Sequence, residues 1–396
     1  MLRKFGTGIV AASVLGAAPL ALAQDAESGV IEFTALIRDF KRGDRSGGHL
    51  DFNTVNANKR AGHVTGLLMM NLGEDGKPVY NPERSYNSNG NDPFISEDLF
   101  NQWYHDVPGI NIGLPITIRF GPKSGSEGVY TTEGFNSHLM FSGKFLPIND
   151  LGFGNQGHTV NGVGTNYLFT TEFQNDFTYV PGQHFTFSGD DDVWAYINDT
   201  LVIDLGGAHG KVSSELYLFD GKAFVKASHF ALSEQVHEIS SEMQSELAEK
   251  WTAMDLGESC PLTGSAFRYV DLDLNAGGSD VKCAFDGVGV DVHTTGEIAS
   301  VRLLFEDSST QLFDTTHGGT FAGSGAYAGK TIRGLWMNTG GVDADVTYYG
   351  SDGSGGPQCS MHFFHAERHY VGSNFKIETN ILMKDSGVTM ASPLYD

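Results

Sequence analysis

Residues 185–209, FTFSGDDDVWAYINDTLVIDLGGAH, constrain the fold most, because three consecutive aspartates separate two runs with the two-residue period of strands. Phe185 and Phe187 alternate with polar neighbours before the acid run. After it, Val193, Ala195 and Ile197 fall on one face and Trp194 and Tyr196 on the other. Asn198 and Asp199 read as a turn and 201–205 as a returning strand, so 193–205 is predicted to be a hairpin closed by Gly206 and Gly207. Neighbouring side chains in a strand point to opposite faces, so Asp190, Asp191 and Asp192 converge only if the backbone bends there, through a turn or a cis peptide bond. Bent together, Asp190 and Asp191 would offer the hard oxygen donors that Ca²⁺ takes. The same residues also read as a solvated turn of an acidic chain.

The formal net charge is −23, with 48 acidic residues against 25 Lys and Arg. Such a balance disfavours nucleic acid and anionic lipid, whose phosphates attract Lys and Arg, and leaves divalent cations and neutral polymers as partners. With 51 Gly, 27 Phe and 40% hydrophobic residues, the composition suits a β-rich protein with many turns, long enough for two domains. Arg3 and Lys4 precede an apolar run at 9–22, and Ala21-Leu22-Ala23 is a small-residue cleavage site, so 1–23 reads as a secretory signal peptide. That run is short for a membrane span, so the expectation is a secreted, extracellular or surface protein without membrane insertion. Cys260, Cys283 and Cys359 allow at most one disulfide within a monomer, and any of the three pairings is open.

Along the chain, 31–37 is an apolar strand, and His49 and Asp51 sit in or beside a polar, Gly-rich loop where solvent exposure is expected. Residues 81–92 read as an exposed loop and 94–103 as a short helix or turn that packs its aromatics. At least five short β segments follow between 114 and 187, with a Gly- and Asn-rich connection at 152–164, as in a sandwich. Residues 215–227, ELYLFDGKAFVKA, look like strands that still belong to that sandwich. Leu232, Val236, Ile239, Met243, Leu247 and Trp251 then recur at helical spacing, which predicts an amphipathic helix over 232–251 packed on the sandwich. From 266 to 349 the chain reads as a second, smaller β-rich unit, with 350–357 as the linker back. In the returning strand, His365, Glu367 and His369 share one face, a spacing that suits a transition metal but is not the HExxH of a helical zinc protease. No GxSxG elbow or P-loop is present, and with so many carboxylates no single pair singles out a glycosidase. An enzyme is therefore not expected, an unrecognised metal-dependent hydrolase being the third choice.

The 185–209 run, together with ALIRDF (35–40), DGKPVY (75–80), QWYHDVPGIN (102–111), FLPINDLGFG (145–154), FTTEFQNDFTY (169–179) and AERHYVGSNFKIETN (366–380), resembles the fibro-slime domain. That bacterial extracellular module is similar to the anthrax protective-antigen-like β-sandwich. The resemblance implies an all-β, jelly-roll-like antiparallel sandwich over 24–210 and 358–396, interrupted by an inserted helix and smaller β-rich domain at 211–357. It implies a Ca²⁺ site at Asp190 and Asp191, with Asp192 completing the run and Asn374 a further ligand. It also implies a calcium-dependent carbohydrate or surface-binding role toward an extracellular glycan, adhesin-like and non-catalytic. Ligand-binding candidates are Trp194, Tyr196, Asn198, His209 and Glu367. The alternative is a structural component of an extracellular matrix or slime, with a structural Ca²⁺ and possible self-association. An ion open to solvent beside Trp194 or Tyr196 would favour the first reading, and one sealed by protein ligands the second.

Overall fold

The computed structural model describes residues 29–52, 63–83, 93–126, 128–229, 233–253, 256, 259–264, 266–272, 280–287, 289–294, 297–305, 309–330, 332–338, 344–349, 358–370 and 372–385. The signal peptide, most of 81–92, Leu232, the 350–357 linker and the C-terminal tail beyond 385 lie outside the described residues.

Two layers of antiparallel strands are joined by one long strand, Asn111–Pro122. Along most of its length it pairs with Ile31–Phe40, from Ile31 against Phe120 to Phe40 against Asn111. Its last residues, Gly121 and Pro122, pair instead with Tyr130–Thr131 of the other layer. The first layer runs in the order Thr200–Leu205, Asp192–Ile197, Gln358–Glu367, Phe169–Thr178, Ile31–Phe40, Asn111–Pro122. The second continues through Tyr130–Thr131, Phe375–Thr379, Gln183–Gly189, Val212–Phe219, Lys222–Lys226, Phe267–Asp271 and His237–Glu238. Phenylalanines at alternate positions fill the space between. Phe363 of the first layer stacks on Phe173 at 4.7 Å and meets Phe187 of the second at 5.4 Å. The expected all-β sandwich is the observed fold, and the alternating burial of Gln183–Gly189 is the period-two pattern read from the sequence.

The hairpin is present as expected, with Val193 opposite Leu205 and Ile197 opposite Thr200. Asn198 and Asp199 both take positive φ, 47° and 61°, as a two-residue hairpin turn compatible with the right-handed strand twist requires. Both faces of its first strand are buried, however: Val193 to Ile197 are all 0% exposed. One face meets the sandwich core. The other is covered by Phe94, Phe100 and Trp103, which lie before, at the end of and just after a short helix, Glu97–Phe100, capped by Ser96.

The 212–226 strands extend the second layer, as do His237–Glu238 and Phe267–Asp271. A separate core begins only with Asp280–Gly287, where a four-stranded and a three-stranded sheet enclose Val290, Val301, Leu303, Phe305, Ile332 and Leu335. The helix spans Ser241–Ala253, shorter than its apolar spacing suggested. Ser240 accepts the Met243 amide through its side chain at 3.1 Å and the Gln244 amide through its carbonyl, so the helix starts there. Val236 and Ile239 precede it, flanking the His237–Glu238 strand. Met243, Leu247 and Trp251 do pack against Phe219 and Phe224 of the sandwich, as expected. Cys260 and Cys359 are both buried free thiols, so none of the three pairings, each of which needs one of them, is formed.

Candidate functional site

The bend that the acid run needs is made at Asp191, whose φ is 61°, and no peptide bond among the described residues is cis. The chain thus leaves Gln183–Gly189 in one layer and enters Asp192–Ile197 in the other within two residues. Asp190, Asp191 and Asp192 are 4%, 3% and 0% exposed, so the run is not a solvated turn. Each carboxylate is turned onto the stretch where the returning strand ends and the last strand begins.

Asp190 accepts the amides of Ser373 (2.8 Å) and Asn374. The approach is so close that a Cβ at Gly372 would lie 1.2 Å from the Asp190 oxygen, which explains a glycine there. Ser373 itself holds φ 116°, a conformation that costs on the order of 1–3 kcal/mol and persists only where its surroundings enforce it. Asp191 accepts the Arg368 amide at 2.9 Å. Asp192 takes the Arg368 guanidinium on both oxygens, at 2.6 and 3.0 Å, and the Gly207 amide at 2.6 Å. Arg368 completes its set with the Pro93 carbonyl at 2.7 Å and lies over the Trp103 ring at 5.0 Å. A buried charge paired on both oxygens and stacked on an aromatic face is Arg rather than Lys chemistry.

Glu367 is fully buried beside this run. Its Oε1 accepts the His369 amide at 3.3 Å, and its Oε2 has no partner. Burial first, then the charges of Asp191 and Asp190, hold its carboxyl well above the usual carboxylate range. Burial likewise pushes Asp191 up to about 7, against the relief its Arg368 amide contact gives. Neither ring nitrogen of His365 has a partner, and burial lowers this histidine to about 4. Tyr167, whose hydroxyl is also unpartnered, is pushed up to about 12 by burial and by Glu367 and Asp190. Among the described residues no three His, Cys, Asp or Glu side chains stand ready to hold a metal ion.

The other candidates separate from this run. Trp194 and Tyr196 are core residues, 0% exposed, with Trp194 Nε1 donating to Asp204 at 3.1 Å and the Tyr196 hydroxyl facing the Met69 carbonyl. They offer no face to a sugar, because the 94–103 segment lies over the strand that carries them. Asn198 is spent on the turn, accepting the Ser360 amide at 3.0 Å and donating to Cys359 Sγ at 3.4 Å. His209 is half-buried, and its carbonyl faces the Asp191 amide. Asn374 meets the acid run through its backbone amide, so it donates to Asp190 where a metal ligand would have to accept. It also lines a cleft of about 370 Å³ with Thr132, Asn136, Ser188, Lys211 and Lys376. His365 and Glu367 are buried while His369 is half-buried, so the three do not present one open metal face.

His49 and Asp51, expected in solvent, are buried. Asp51 accepts the Ile95 amide and Trp103 Nε1, at 3.0 and 3.2 Å, and His49 Nε2 meets the Leu99 carbonyl at 3.1 Å. They fix the aromatic cover over the hairpin. Sequence reasoning passed over Arg368, Gly372 and Ser373. The available signal was an arginine beside a glutamate in an otherwise apolar and His-rich strand of a chain poor in basic residues.

No helix among the described residues is long and apolar enough to cross a membrane. No protein-family model matches the chain, and no solved structure does. Curated proteins of the eukaryote Dictyostelium discoideum are similar to part of it. Protein psiD is 34% identical over 163 residues, 40% of this chain and 30% of psiD. Protein psiC is 33% identical over 172 residues, 42% of this chain and 31% of psiC. Protein psiQ is 33% identical over 165 residues, 40% of this chain and 15% of psiQ. The matched part thus spans less than a third of each of these relatives, and what the chain shares with them is a segment set within longer proteins.

Proposed function

We propose that the chain is a non-catalytic, secreted structural module of an extracellular layer, in which the acid run clamps the returning strand and takes Ca²⁺ as its counter-ion. The observation that carries this reading is the burial of Asp190, Asp191 and Asp192 against backbone amides and Arg368, which leaves no open carboxylate for a substrate or sugar. Asp190, Asp191 and Glu367 would hold the ion. The fit rests on donor chemistry: hard oxygens, an unpartnered Glu367 Oε2, and two carboxyls whose ionisation burial opposes. When bound, Ca²⁺ supplies the positive charge that lets these groups ionise in the interior. Without it, burial favours the protonated form of both Asp191 and Glu367.

The test is thermal melting of the mature protein with Ca²⁺ and with a chelator, at pH 5 and pH 8, beside an Asp190→Asn, Asp191→Asn double variant. An ion bound only by the folded state at a hundredfold excess over Kd adds about 2.7 kcal/mol. The expected result is a Ca²⁺-dependent rise in Tm that is larger at pH 8, where the ion need not displace protons, and absent in the variant. A wild type indifferent to Ca²⁺ at both pH values contradicts the counter-ion.

A second reading, carbohydrate binding, is favoured by the cleft beside Asn374, a concave site with convergent amide, hydroxyl and ammonium groups. Lys376→Ala together with Asn374→Ala would then abolish retention on immobilised extracellular polysaccharide while leaving the Ca²⁺ response intact. Undiminished retention by this variant contradicts a glycan site there.

A further inference from the structure

On the hairpin side of the sandwich, His63 meets two histidines from two other segments, His209 and His229, ring to ring. His63 lies in the segment whose next residue, Val64, pairs with Gly206 through two backbone hydrogen bonds, of 2.8 and 2.9 Å. His209 follows the end of the hairpin, and His229 ends the turn Ala227–His229 after the strand Lys222–Lys226. The His63 ring centre is 5.8 Å from that of His209 and 5.6 Å from that of His229, both edge to face. Each ring buries one nitrogen with no partner: Nε2 of His63, Nε2 of His209 and Nδ1 of His229.

Three buried, unsatisfied nitrogens in one place are costly unless something fills them. In one of the rings the second nitrogen is also occupied, as in metal-bound imidazoles. His209 Nδ1 is engaged by the Gly210 carbonyl at 2.8 Å, which leaves its Nε2 as the buried nitrogen without a partner. Two of the rings favour the neutral form a metal needs: burial lowers His63, and burial with the charges of His63, Lys226 and His209 brings His229 to about 4.

We propose that His63, His209 and His229 form a binding site for one borderline transition-metal ion of the Zn²⁺, Ni²⁺ or Cu²⁺ type, separate from the acid run. Imidazole suits these ions, and Ca²⁺ with its preference for oxygen is excluded by the donor set. Three imidazoles bound to one tetrahedral ion at about 2.0–2.1 Å place their ring centres roughly 5 Å apart. His63 lies slightly farther than that from each of the other two, and the donors do not converge on one point, so binding requires the three rings to close around the ion. Such an ion ties the 63–64 segment, the end of the hairpin and the 227–229 turn together. A strongly acidic chain concentrates cations around it and so favours loading.

The test is titration of tag-free protein with Zn²⁺ alone by calorimetry, and with Co²⁺ by visible absorption, in wild type and in the His63→Gln, His209→Gln and His229→Gln variants. A chain with 14 His has adventitious sites, so the variants carry the test. The expected result is one tight Zn²⁺ site unaffected by excess Ca²⁺, a tetrahedral Co²⁺ spectrum in wild type, and at least tenfold weaker binding in each variant. Wild type without a tetrahedral Co²⁺ spectrum, or folded variants that bind Zn²⁺ as tightly as wild type, overturns the site. Should a variant fail to fold, the Co²⁺ spectrum of wild type and its displacement by one equivalent of Zn²⁺ decide the matter.

Discussion

Glu367 shows what a single buried carboxyl does to this fold. An ionised Glu367 next to Asp191 and Asp190 is opposed by burial and by like charge, so the ion-free protein holds protons there. Asp191, raised to about 7, has the same sense. A carboxyl with a folded pKa above its unfolded value of about 4 contributes stability fully below the unfolded pKa and loses it as pH rises through the folded one. His365, lowered to about 4, contributes above its unfolded value of about 6.5 and loses that contribution as pH falls toward 4. The two oppose each other, and only the first depends on Glu367. In chelator, Glu367→Gln is therefore expected to raise the urea midpoint above wild type at pH 8 and to raise it less at pH 5, where only part of the loss has set in. A variant no more stable than wild type at pH 8 would mean that Glu367 does not burden the ion-free fold.

At the scale of elements, the turn from Arg368 to Asn374 is shaped by what it must wrap. Asp190 occupies the space where a side chain at 372 would begin, so Gly372→Ala should force the carboxylate off the Ser373 and Asn374 amides. A loss of about 1–3 kcal/mol is expected, as for other overpacked sites, and a melt matching wild type would mean the turn relaxes freely. The hairpin was legible in the sequence because alternation and an Asn-Asp turn are local signals. The burial of its second face was not, since the cover of Phe94, Phe100 and Trp103 comes from 90 residues earlier in the chain, roughly, a contact that no local pattern encodes. For the same reason Trp194 and Tyr196 looked available to a ligand and are instead core. The helix was over-extended because Val236 and Ile239 keep helical spacing while Ser240 sets the start. The acid run was recognisable as three carboxylates in need of partners, but its partner Arg368 lies across the whole inserted segment and is found only by the fold.

For the molecule as a whole, the sandwich and the 280–349 unit have separate hydrophobic cores. Leu335, 1% exposed in the smaller one, should on replacement by Ala cost about 2–5 kcal/mol there and leave the sandwich intact. Calorimetry is expected to show two transitions, of which Leu335→Ala lowers one, whereas a single transition shifted as a unit would mean the cores unfold together. The chain leaves the sandwich after Phe267–Asp271 and re-enters it at Gln358–Glu367, so something must fix the returning segment in register. The account assigns that task to the acid run. Hydrogen exchange at the Arg368, Ser373 and Asn374 amides, in wild type and in Asp190→Ala and Asp191→Ala, tests it most directly. Loss of Asp190 should speed exchange at Ser373 and Asn374, and loss of Asp191 at Arg368, while the amides of Ile31–Phe40 stay protected. Unchanged protection at all three amides in folded variants would contradict the clamp.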